Sequence, residues 1–93
     1  MDKKIPSDIG EGLVFPFEFV IKVFGATSND FPTMVLSIMR KHVANLKDDA
    51  VQNRLSKDDK YSALSITFMA ESRDQLDAIY RELSSNPLIL MVL

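Results

Sequence analysis

Tyr61-Ser-Ala-Leu-Ser-Ile-Thr-Phe-Met-Ala70 is the stretch whose reading decides the fold. Apolar residues alternate there with small or polar ones at a period of two, the signature of a strand with two unlike faces. Leu64, Ile66 and Phe68 belong against a core, while Ala63, Ser65, Thr67 and Met69 make a low, mildly polar face. A strand of this kind is half covered: helices lie on one side and the other side stays open.

Working outward, Ser56-Lys-Asp-Asp-Lys60 is a charged turn, and Ala50 to Ser56 reads as a weak, polar strand suited to a sheet edge. Upstream, Phe17, Phe19, Ile21 and Val23 form one face of another strand, against Glu18, Val20, Lys22 and Phe24 on the other. Gly25 ends it at a place suited to positive φ or to close backbone approach. Between these strands, Phe31, Val35, Ile38, Met39, His42 and Leu46 recur at helical spacing. A helix over about 31–45 follows, with Asn29 or Asp30 as its cap and Pro32 in its first turn. Downstream, Ser72-Arg-Asp-Gln75 matches a capping box, and Leu76, Ile79, Tyr80 and Leu83 give the buried stripe of a second helix. Leu88–Leu93 is a last strand, apolar on both faces and without a charged side chain.

The order is β-α-β-β-α-β. With right-handed crossovers it closes as an α+β, ferredoxin-like sandwich: an antiparallel sheet in order 4-1-3-2 with both helices on one face. Residues 15–93 form this single domain, and residues 1–14, where Pro6, Gly10 and Gly12 lie among charges, read as a flexible tail. With 93 residues and 46% apolar content, the chain holds one core and no second.

Composition also bounds function. A formal net charge of −2 argues against nucleic acid or an anionic membrane surface as partner. The absence of cysteine removes disulfides, thiolate metal sites and cysteine nucleophiles. No apolar run reaches the roughly 18 residues of a membrane span, and the N-terminus lacks a secretory leader, so the cytoplasm is the expected location. His42 is the single histidine, placed on a helix stripe with no catalytic motif beside it. The acidic pairs Asp48-Asp49 and Asp58-Asp59 lack the further ligands of a calcium loop. Three glycines make no phosphate-binding fingerprint. The expectation is no enzyme, no catalytic residue, no metal and no cofactor.

Two features remain. The open face should serve as an interface, for a homodimer or a protein partner, through Val20, Lys22 and Phe24 of the first strand, Ser65, Thr67 and Met69 of the third, and Ile89 and Met91 of the last. The loop Gly25, Ala26, Thr27, Ser28, Asn29 and Asp30 gathers backbone N–H groups and small hydroxyls, a place for a carboxylate or amide ligand. Helix capping is the simpler reading of the same loop.

The chain is also similar to the YbeD-like family of small uncharacterised bacterial proteins. The resemblance rests on Phe15-Pro16 with Lys22-Val-Phe-Gly25, Arg40-Lys-His42, Lys60-Tyr-Ser-Ala-Leu-Ser-Ile-Thr67 and Met91-Val-Leu93. It departs at Asp58-Asp59, where the family tends to carry a hairpin glycine, and at Asn29-Asp30. The resemblance implies a ferredoxin-like domain similar to ACT-type regulatory domains, which bind small effectors and pair side by side. It also implies a ligand near the loop after the first strand, here Gly25–Asp30. Members are sometimes labelled as lipoate-related regulators. The alternative is an adaptor that binds a protein through the open face or a strand edge, with no small-molecule site.

Overall fold

A computed structural model of the chain describes residues 14–93; the expected tail at 1–14 lies, except for Val14, outside the described residues. Four strands and two helices alternate: β1 (Phe17–Ala26), α1 (Asp30–His42), β2 (Val51–Leu55), β3 (Tyr61–Ala70), α2 (Arg73–Ser85) and β4 (Ile89–Val92). A short 3-10 turn, Asp48–Ala50, leads into β2. The sheet order is β2-β3-β1-β4, every neighbour antiparallel, which is the expected 4-1-3-2 order read from the other edge.

β3 and β1 pair along their whole length, from Phe17↔Ala70 to Ala26↔Tyr61, so the two ten-residue strands are the spine of the molecule. Their faces separate as the alternation requires. Ile21, Val23, Leu64, Ile66 and Phe68 enter one core with Phe31, Val35, Ile38 and Met39 of α1 and Leu76, Ile79, Tyr80 and Leu83 of α2. Both helices therefore cover the same side. Phe15, Phe17 and Phe19 are half-buried and continue the core as a chain of ring contacts that ends on Phe68, with centroids 5.2–5.9 Å apart.

The helix ends differ from the expectation in instructive ways. α1 stops at His42 because Val43 turns extended (φ −123°, ψ 104°) and is itself buried, leaving the helix to reach the core. At its start neither Asn29 nor Asp30 caps through its side chain; the Ser28 hydroxyl accepts the Phe31 N–H instead, at 3.1 Å. In α2 the Ser72 hydroxyl accepts the Gln75 N–H at 3.1 Å, while Gln75 reaches back one residue further than a regular capping box and accepts from Glu71 N–H at 2.7 Å. β2 and β4 are slightly shorter than the spans read from the sequence.

The hairpin turn between β2 and β3 places Asp59 at φ 62°, in the left-handed region where glycine is at ease and aspartate is tolerated. The Asp58 carboxylate accepts from the Ser56 hydroxyl and the Lys60 N–H, and these bonds hold its pKa below the usual range. Phe15-Pro16, just before β1, is a cis peptide.

Candidate functional site

The loop after β1 is the first candidate. Gly25 is buried, and the reason is close approach rather than backbone freedom: a Cβ there would lie 2.6 Å from Phe31 Cζ and 2.8 Å from the Leu88 carbonyl oxygen. The Phe31 ring thus occupies the space that glycine leaves. Ala26 to Asp30 are exposed. Thr27 is tied to the hairpin, its N–H donating to Lys60 O at 2.9 Å and its hydroxyl lying 3.1 Å from that of the buried Ser62. Ser28 is engaged in the helix cap. The Thr27 and Ser28 groups of the loop are thus spent on holding β1, β3 and α1 to one another.

The open face is the second candidate. Val20, Lys22 and Phe24 of β1 lie beside Thr67, Ser65 and Ala63 of β3, and Phe24 lies opposite Met91 of β4. Val20 is 47% exposed, Met69 48% and Met91 40%. Ile89 departs from the expectation. A register shift between Phe24 and Gly25 turns it to the helix side, opposite Gly25, where it is buried. Leu90 and Leu93, not singled out from the sequence, join the exposed apolar group at this edge.

A third place was invisible in the sequence. Where α1, β3 and the start of α2 meet at the far end of the sheet, a cleft of about 570 Å³ opens between Val43, Leu46, Lys47, Phe68, Met69 and Gln75. Gln75 braces it: its side-chain amide donates to the His42 carbonyl oxygen at 2.8 Å, joining the start of α2 to the end of α1.

His42 takes part in a second brace between the helices. Its Nε2–H donates to Glu82 Oε1 at 2.8 Å, and Lys41 Nζ donates to Glu82 Oε2 at 2.5 Å. The lysine first and the histidine second hold the Glu82 carboxyl below its usual pKa. The contact joins the end of α1 to α2, and its geometry is that of a helix-to-helix tie. Nor does any group of three His, Cys, Asp or Glu converge on a metal-sized space among the described residues. Tyr80 is buried with no partner for its hydroxyl among the described residues, and burial pushes the pKa of that hydroxyl up to about 12. No helix of the described residues is long and apolar enough to cross a membrane.

The element order, sheet topology and one-sided helices define a small ferredoxin-like α+β domain. Two solved structures carry the same fold: protein HP0495 from H. pylori, at TM-score 0.72 and 14% identity over 99% of this chain and 98% of that one, and the ACT domain from GTP pyrophosphokinase of Chlorobium tepidum, at TM-score 0.65 and 13% identity over 83% of each. The chain belongs to the family described as protein of unknown function DUF493, whose model matches residues 11–93. Among its relatives are a UPF0250 protein of Leptothrix cholodnii, 43% identical over 85% of this chain and 87% of its own. Another, from Paraburkholderia phymatum, is 35% identical over 94% and 99%.

Proposed function

We propose that this chain is a non-enzymatic regulatory or interaction domain of the cytoplasm that works by self-association. The observation that carries the reading is the apolar group at the β4 edge. Leu90, Met91 and Leu93 are exposed there, Val20 is exposed on the adjoining strand, and β4 has no charged residue to discourage pairing. An antiparallel edge strand is self-complementary under a two-fold axis, so a second copy is the simplest occupant. In this reading a small effector binds at Gly25–Asp30 and alters the association. The fold shared with the ACT domain of a GTP pyrophosphokinase supports the choice of a regulatory class.

A second reading is favoured by one specific observation: the Phe31 ring fills the space over Gly25, so the loop offers no enclosed room. The domain then acts as an adaptor without a small-molecule site. Sedimentation velocity of the full chain at micromolar concentration should give a dimer, and Met91→Lys should give a folded monomer. A monomer throughout removes the association reading. A thermal-shift series with amino acids and small carboxylates separates the two remaining cases, since a ligand of the native state raises Tm by mass action.

A further inference from the structure

The ladder between β1 and β4 carries one extra residue. Its pairs run Val23↔Val92, Phe24↔Met91 and then Gly25↔Ile89, so Leu90 has no place opposite β1. The bulge breaks the alternation of side chains. Leu90 and Met91 are both outward, 52% and 40% exposed, while Ile89 is 2% exposed on the helix side.

Carried on without the bulge, the same ladder sets Leu90 opposite Gly25 and Ile89 opposite Ala26. Alternation then brings Leu90 inward beside Val92 and sends Ile89 outward. The two registers thus differ by an exchange of two isomeric side chains. A one-residue slip is ordinarily opposed because it drives polar residues into a core. Here it moves leucine in and isoleucine out, and every residue of Ile89–Val92 is apolar. Gly25, which either one faces, has no side chain with which to prefer one over the other.

Hydrogen bonding is nearly balanced as well. Lys22 and Leu93 exchange both backbone bonds, at 3.0 and 2.8 Å. Every second residue of β1 from Lys22 onward therefore turns its N–H and C=O toward β4, Ala26 among them. In the regular register Ala26 and Ile89 meet as such a pair. In the bulged one the Ile89 N–H donates to Asn86 O at 3.1 Å, and the Leu88 carbonyl stands over Gly25. Passing from one to the other moves Ile89 along β1 by one residue, ~3.3 Å, taken up in the connection of residues 86–88.

We infer that β4 is a two-register strand: the chain exchanges between the bulged register, with Ile89 inward and Leu90 outward, and a regular one with the two reversed. Bulges turn an edge away from pairing, so the regular register is the better edge for a second copy. That consequence, unlike the exchange itself, rests on the association proposed above.

The test uses the full chain in solution. Gly25 and the residue facing it form the non-hydrogen-bonded kind of pair, in which the backbones approach most closely. Its α-protons should therefore show contacts to the Ile89 α-proton in one state and to that of Leu90 in the other. Relaxation dispersion should find the Ile89 and Leu90 amides exchanging between microseconds and milliseconds. Ile89→Gln should hold the regular register and Leu90→Gln the bulged one, each folded, without exchange and with a single Gly25 contact. Each single change leaves the other residue to bury. The double variant should therefore lose more Tm than the two single losses together, by about 4–8 °C. An Ile89→Gln chain that unfolds, losses that simply add, or a parent with no exchange at these amides overturns the inference. Sedimentation keeps the two readings apart. Exchange in a chain that is monomeric throughout supports the two registers and removes the association, whereas a parent dimer without exchange overturns the registers alone. Of the single variants, Ile89→Gln should form the tighter dimer, and equal dimers overturn the consequence for the edge.

Discussion

At the scale of single residues, Gly25 separates what a sequence can suggest from what only packing decides. Its position after an alternating strand marks a special backbone site, with positive φ or close approach as the two physical causes. Choosing between them requires knowing that the Phe31 ring and the Leu88 carbonyl both arrive above its Cα. Gly25→Ala should therefore destabilise the domain by about 1–3 kcal/mol, the usual cost of forcing a methyl into a filled space. Urea unfolding followed by circular dichroism measures it. A neutral result would mean that Phe31 swings aside freely. The His42–Glu82 contact was equally hidden, because it joins residues of two helices whose relative rotation no local pattern reports. Ile89 was misplaced for a related reason: strict alternation was carried through β4, and the register shift beside Gly25 breaks it.

Among the elements, the most legible were those whose signals are local. β3 has the bounds read from its alternation, since its two faces differ in polarity at every step. The start of α2 was equally clear, because Ser72 and Gln75 carry the cap in a four-residue span. Ser72→Ala should cost about 1 kcal/mol, as loss of an N-cap side chain commonly does. The same unfolding assay shows it, and Ser72→Asp should restore most of the loss, an aspartate being a comparable cap that also suits the helix dipole. The end of α1 was less legible. Val43 and Leu46 prolong the apolar spacing of the helix, but Val43 serves the core from an extended conformation. The cleft could not be read at all. It arises from a difference in length between two strands and from the path of the connection beside them, and neither leaves a motif.

For the molecule as a whole, the strand order was accessible because right-handed crossovers leave few closures for this element sequence. The tie between the helices adds a pH dependence to the assembled domain. The Glu82 pKa is lowered on folding, chiefly by Lys41 and then by His42. Its contribution is thus complete above the ordinary carboxyl value of 4.5 and is lost as pH falls through the lower folded value. Glu82→Gln should lower Tm at pH 7 by about 1–5 °C, the effect of a partly exposed pair worth ~0.2–1 kcal/mol. The difference between variant and parent should then shrink below pH 4.5, where the parent loses the same charge. Parallel Tm profiles down to pH 3 would show that the carboxylate contributes nothing through its ionisation.

The sheet order β2-β3-β1-β4 has one more consequence. The turn at Lys57–Lys60 divides the chain into a β-α-β half and a second β-α-β half, and the strands of the two halves alternate across the sheet. No two neighbouring strands come from the same half. Neither half can therefore form a single native ladder alone, and each supplies every edge the other lacks. A chain nicked in that turn would be two unstructured fragments that acquire structure only on meeting, so the domain is built as a lock divided between two keys, ready to report their encounter.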